Sequence, residues 1–191
     1  MKRKFMLVIM MVCIFIFGTP MNAKASIKMT MKTAALSTTN KKKMYKLCRQ
    51  FRDYAGFQYA YKMKVGQKRN YNFNNKKVRK NALRYMIDPK SSYHLKKVQD
   101  KRSMNLFGKK TPSVKPLIGD WGEGTPEIGS FKIKKTNSTY TINANLYWVD
   151  TAYSYHKQKV GTLKYTVKKN KKSSYGFVVK KLVIKKLSEL Q

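Results

Sequence analysis

Acidic side chains are scarce in this chain. Its 191 residues include only eight Asp and Glu and two His. General acid–base catalysis draws on carboxylates or imidazoles held in a partly desolvated cleft, so this supply leaves few candidates. Asp150 and His156 flank one loop and are the candidate catalytic pair. His94 is the only other histidine. No serine-centred elbow, phosphate-binding glycine loop, zinc spacing or calcium loop is present, and neither a metal nor a cofactor is implied. Cysteine is also rare, at two residues. Cys13 lies in the apolar N-terminal run and Cys48 on the apolar stripe of a predicted helix, where it reads as a small buried hydrophobe. Removal of the N-terminal segment leaves one thiol and no intrachain disulfide. Small secreted animal domains commonly depend on disulfides, so a secreted bacterial protein is the better fit.

The N-terminus is strongly patterned. Lys2-Arg3-Lys4 precedes a 14-residue apolar run from Phe5 to Gly18, broken by Thr19-Pro20. Ala23-Lys24-Ala25 then places small residues at the two positions a signal peptidase reads. The run falls short of the ~20 residues that a permanent membrane helix needs. Residues 1–25 are therefore expected to be a cleaved signal peptide, with the mature protein starting at Ser26 outside the cell. Cleavage would remove Lys2, Arg3, Lys4 and Lys24 and no acid, lowering the formal charge by four from +35 to +31.

Such a charge draws polyanions and anionic membranes and opposes compaction by self-repulsion. Lysine far outnumbers arginine. A lysine ammonium is a hydrated point charge, whereas arginine offers a planar fork to phosphate, so the bias implies diffuse attraction. The cations come in doublets, and the candidate binding cluster is Lys168, Lys169, Lys171, Lys172 and Lys180. A doublet in a strand puts one lysine on each face, so Lys180-Lys181 is expected to mark a bulge or an edge. Asn137-Ser138-Thr139 matches a glycosylation acceptor but reads as turn chemistry in a bacterial protein.

Residues 26–37 read as a flexible leader and 38–191 as a single α+β domain. Met44, Leu47, Cys48, Phe51, Tyr54 and Ala55 recur at helical spacing, predicting one long helix from about Thr38 to about Lys64. Asn70 to Asn75 reads as a turn, with Asn75 capping a second helix that Asp88-Pro89 stops. Residues 93–107 allow a short third helix, and Gly108 to Gly129 reads as a long connection. Four antiparallel strands follow: around Phe131 and Ile133, Tyr140 to Trp148, Leu163 to Val167, and Phe177 to Leu187. Alternation puts Tyr140, Ile142 and Trp148 beneath the first helix and sends Lys164 and Lys168 to the opposite face.

The stripe Met44 to Ala55, the strand Tyr140 to Trp148 and the ending Tyr175-Gly176-Phe177-Val178-Val179 with Leu182-Val183-Ile184 resemble, over about residues 38–187, the nuclear-transport-factor-like cone fold. The resemblance implies helices packed on a curved sheet around a conical pocket, in enzymatic members lined by Asp, His or Tyr. No such acid–base pair maps onto this chain. A cystatin-like grip of one helix on a sheet is the structural alternative. The string Gly119-Asp120-Trp121-Gly122-Glu123-Gly124 reads either as an exposed Trp121 platform for a sugar or peptide, or as a sharp loop whose indole plugs the core. The leading expectation is a secreted, non-enzymatic binding domain. Its lysine surface would meet an anionic cell-wall polymer or anionic lipid, and Trp121, or a pocket beside Trp148 and Tyr140, a further partner. The alternatives are a small isomerase- or cyclase-like pocket enzyme using Asp150 and His156, and extracellular nucleic-acid binding with base stacking at Tyr71-Asn72-Phe73. No nucleic-acid module signature accompanies the last.

Overall fold

The computed structural model describes residues 36–87, 95–117, 124–150 and 156–190. The expected signal peptide with Ala23, Ala25 and Ser26, nearly all of the expected leader, Asp88-Pro89, His94 and Trp121 lie outside the described residues. From Thr38 the chain forms helices α1 (Thr38–Arg49) and α2 (Arg52–Lys62), strand β1 (Lys68–Asn72), helices α3 (Lys76–Arg84) and α4 (Lys96–Phe107), and strands β2 (Gly124–Thr136), β3 (Thr139–Asp150), β4 (Lys157–Lys169) and β5 (Phe177–Lys186). The strands make one antiparallel sheet in the order β1-β5-β4-β3-β2. The α+β class is as expected. No described helix is long and apolar enough to cross a membrane.

Three expectations about elements are corrected, the last being the connection expected from Gly108 to Gly129, since β2 already begins at Gly124. The first concerns the long helix, which is two helices. The amides of Gln50 and Phe51 donate to Leu47 O and Cys48 O, each 3.1 Å away and three residues back, and Phe51 sits at φ −93°, ψ 7°. This tightened turn redirects the chain without proline or glycine. Its position suits packing: Phe51 is fully buried, with ring centroids 5.3 Å from Phe73, 5.8 Å from Phe107 and 5.9 Å from Tyr165. The apolar spacing runs through the break, so periodicity alone does not reveal it.

The second correction is a fifth strand. Lys68–Asn72, read in part as a turn, pairs along β5 from Lys68 opposite Lys185 to Asn72 opposite Lys181. The segment Lys-Arg-Asn-Tyr-Asn carries no β-branched residue. As an edge strand it contributes one ring to the interior: Tyr71 packs edge-on to Tyr54 at 5.3 Å, and its hydroxyl donates to Gln58 Oε1 at 2.8 Å. Asn75 caps α3 as expected, its Oδ1 accepting from the amides of Lys77 (2.8 Å) and Val78 (3.4 Å). The third helix is α4, ended by Gly108 at φ 71°. A Cβ there would stand 2.6 Å from Asn170 Nδ2, so glycine answers both the left-handed backbone and the close approach.

The sheet's inner face carries Tyr140, Ile142, Ala144 and Leu146 on β3, Leu163, Tyr165 and Val167 on β4, and Val179, Leu182 and Ile184 on β5, all buried. Against it lie Met44, Leu47, Cys48, Tyr54 and Tyr59 from the helices. Trp148 also faces inward, 6.4 Å from Tyr59. Each fully buried large side chain stabilises the fold by about 1.5–3 kcal/mol relative to exposure. Register shifts fall between Gly129 and Lys132 on β2, at Leu146/Tyr147 between β3 and β4, and at Thr166/Val167 between β4 and β5. In the last, Thr166 opposes Lys181 and Val167 opposes Val179, leaving Lys180 as the bulged residue. The expected irregularity in that doublet is therefore a bulge at Lys180.

Candidate anion-binding face

The helices lie against the inner face, and no described element covers the outer one. Strand parity determines what it shows. Leu163, Tyr165 and Val167 point inward, so Thr162, Lys164, Thr166 and Lys168 point outward, as expected for Lys164 and Lys168. Their neighbours are Val183 opposite Lys164, Lys185 opposite Thr162, Lys68 opposite Lys185, and Lys132 opposite Asn143. Antiparallel pairing thus gathers lysines distant in sequence onto one surface.

A trough of about 850 Å³ crosses this face. Lys68, Lys132, Lys159, Lys164 and Lys185 line it, with no carboxylate among its lining residues. Between the long cationic stems, the shorter Asn143, Asn145 and Thr162 of the two central strands leave the depression. The bulge in β2 brings Ser130 (φ 54°) to the trough wall. Just beyond, the Tyr147 hydroxyl shares a hydrogen with Ser130 Oγ at 2.7 Å and accepts from Asn145 Nδ2 at 3.1 Å. Those bonds from Ser130 and Asn145, then the charges of Lys157 and Lys159, hold its ionisation below the usual tyrosine value.

A second cleft, of about 620 Å³ beside the edge of β2, differs in kind. Arg49, Arg52, Arg102 and Lys157 line it together with Asp53 and Glu127. Arg52 Nε lies 2.9 Å from Asp53 and Lys157 Nζ 2.5 Å from Glu127, so its cations are partly neutralised.

The sequence-predicted lysine cluster is split by the fold. Lys168 and Lys169 end β4, whereas Lys171 and Lys172 sit on the β4–β5 turn. That turn is anchored: Asn170 Oδ1 accepts from the Lys172 amide at 2.9 Å, Ser173 Oγ donates to Asn105 O at 2.7 Å, and Asn105 Oδ1 accepts from the Ser174 amide at 3.0 Å. Lys180 turns the other way, its ammonium donating to Phe107 O at 3.3 Å. Burial first, then the neighbouring charges of Lys109, Lys168 and Arg79, lowers its pKa.

The predicted aromatic residues lie elsewhere. Tyr140 is 4% exposed and packs edge-on to Phe177 at 5.7 Å. Trp148 rests over Gly124, where a Cβ would collide with the indole. The interior between helices and sheet is filled by the rings of Phe51, Tyr54, Phe73, Phe107 and Tyr165. Phe73 is buried and so offers no open ring for base stacking, while Tyr71 is half-buried with its hydroxyl bonded to Gln58. Asp150 and His156 do meet, through backbone: the Asp150 amide donates to His156 O at 3.0 Å, at the end of the β3–β4 pair where the chain passes from one strand to the other. The His156 side chain is exposed there. Among the described residues, no group of three His, Cys, Asp or Glu could hold a metal ion.

Sequence reading singled out the densest lysine runs and missed the trough, whose lysines are mostly single residues on different strands. Parity was the available signal for Lys132, Lys164 and Lys185, each the polar alternate of an apolar inward set, whereas Lys68 lies on a strand with one apolar marker and Lys159 faces outward only because Val160 is bulged between β3 and β4. No family model, no curated protein and no solved structure matches this chain.

Proposed function

We propose that this protein is a secreted, non-enzymatic binding domain that associates with an anionic polymer or lipid of the cell envelope through the outer face of its sheet. The observation that carries the reading is the trough: five lysines on an uncovered surface, with no carboxylate among them. Unneutralised cations on one face focus potential outward and concentrate polyanions there. Each lysine near an anionic surface contributes about 1 kcal/mol, an attraction that fades beyond ~8 Å at physiological ionic strength. Among the described residues, Asp150 and His156 are joined by a backbone hydrogen bond, which is no specific observation in favour of the pocket-enzyme reading. The secreted location rests on the sequence pattern of residues 1–26.

The test is cosedimentation of the purified protein with isolated cell wall, with anionic vesicles and with DNA, at low and at high salt. Selective retention by wall or vesicles that disappears at high salt supports the reading. Retention that persists at high salt, or equal capture by all three, contradicts it.

A further inference from the structure

The trough has a shape and a chemistry that narrow its ligand. We propose that it holds a single extended strand of a non-aromatic, hydroxyl-bearing phosphodiester polymer, a polyol-phosphate chain, laid across the β-strands. The inference rests on the reading above, that this face binds a polyanion, and adds the class of polyanion and its path.

The path follows from the register. Lys185 on β5 lies diagonal to Lys164 on β4, because Lys164 opposes Val183 two residues earlier. Such diagonal neighbours stand ~7–8 Å apart. Lys164 and Lys132 flank Asn143 from either side, so they are two strands, or ~10 Å, apart. Lys68 extends the row to the β1 edge as the partner of Lys185. The cations thus form a line across the sheet, spaced to meet successive charges of a flexible chain. Lysine ammonium groups suit a repeating phosphate whose orientation varies, since they act as mobile point charges.

The floor supplies the second requirement. Asn143 and Asn145 each offer donors and an acceptor, and the Thr162 hydroxyl offers both. These neutral groups serve sugar or polyol hydroxyls between phosphates. Val183, on the same outer face, gives a small apolar contact for methylene units.

The same features disfavour other occupants. No aromatic side chain lines the trough, so a single-stranded nucleic acid finds no stacking platform. A bilayer is flat at this size and would touch only the lysine tips, leaving Asn143, Asn145 and Thr162 unused.

The proposal is tested by titrating the purified protein with lipid-free poly(glycerol phosphate), inorganic polyphosphate, single-stranded DNA and phosphatidylglycerol vesicles at ~0.15 M salt. Three variants accompany it, each checked for an unchanged thermal melt. One removes trough charge (Lys132→Gln, Lys164→Gln, Lys185→Gln). One removes equal charge elsewhere (Lys41→Gln, Lys77→Gln, Lys110→Gln). One alters the floor (Asn143→Ala, Thr162→Val). Poly(glycerol phosphate) binding is expected to weaken about tenfold or more in the trough variant and under about threefold in the control. The floor variant is expected to lose affinity severalfold for poly(glycerol phosphate) while keeping its affinity for polyphosphate. Equal losses in the trough and control variants would overturn the trough while leaving diffuse polyanion binding standing. A floor variant that binds poly(glycerol phosphate) normally, or a wild-type protein preferring DNA or vesicles, would overturn the polyol-phosphate assignment. No binding to any polyanion would overturn the functional reading itself.

Discussion

Cys48 shows how burial sets the chemistry of a single side chain. It is fully buried in α1, and Tyr165 donates its hydroxyl to the Cys48 carbonyl at 3.3 Å. Desolvation pushes the thiol far above its usual range, so the nucleophilic thiolate is not populated near neutral pH. In native protein the peptide containing Cys48 is expected to resist iodoacetamide, and to be labelled fully after denaturation; mass spectrometry of both samples checks this. Tyrosines supply a pH counterpart. Burial, then the charge of Glu189, pushes Tyr59 up to about 12, against about 10 in an unfolded chain. Tyr54 and Tyr165 are raised as well, chiefly by burial. The unfolded form loses these protons first, so their contribution is intact below pH 10; that of Tyr59 disappears as pH climbs from 10 to 12, and those of Tyr54 and Tyr165 continue to fall above that window. Phenolate absorbance is expected to rise in two phases, the later one coinciding with loss of circular dichroism. Cys48's burial was legible in the helical stripe, and so was an irregularity in the Lys180-Lys181 doublet, because a strand cannot send both lysines outward; that it is a bulge, and at Lys180, comes from the pairing of β4 with β5. Trough residues such as Lys159 and Lys132 were not legible as a group. Their meeting depends on which strands are neighbours and on bulges between Gly129 and Lys132 and at Leu146/Tyr147.

The helices and strands rest on a few local devices. Phe51 lies where α1 turns into α2 and touches Phe73, Phe107 and Tyr165, drawing β1's flank, α4 and β4 together. Phe51→Ala is expected to cost about 3–5 kcal/mol, measured by chemical denaturation. Asn75→Ala removes the cap of α3 and is expected to cost about 1 kcal/mol by the same measurement. The loop after α4 is held by a reciprocal pair, Gln99 Nε2 donating to Val114 O and Gln99 Oε1 accepting from the Val114 amide, both at 2.9 Å. Strands β3 and β4 could be read from period-two alternation because inward apolar and outward polar residues alternate along them, and β5 from its apolar, β-branched content. Strand β1 could not, since its order comes from pairing with β5 and only Tyr71 marks an apolar side. The α1–α2 break was hidden because the 3.6-residue period persists on both sides of it.

Over the whole chain, a formal charge of +35 makes repulsion a general cost of folding. The described ion pairs relieve it little: Arg52 with Asp53, Lys96 with Asp100 and Lys157 with Glu127 are largely exposed, each contributing about 0–1 kcal/mol. Lys186 is the exception, 3% exposed and tied to Met63 O at 3.1 Å and Glu189 at 2.5 Å, where it pins the segment after β5. Added salt is therefore expected to raise Tm by screening repulsion while weakening polyanion binding. Scanning calorimetry and cosedimentation over one salt series would show the two trends diverging. The most direct check of the account is the salt dependence of affinity for isolated anionic wall polymer, compared between wild type and the variant carrying Lys132→Gln, Lys164→Gln and Lys185→Gln. Affinity of the wild type should fall steeply with salt, and the variant should bind more weakly with a shallower slope, since fewer counterions exchange. Equal slopes and affinities for the two proteins, or wild-type binding insensitive to salt, would contradict it.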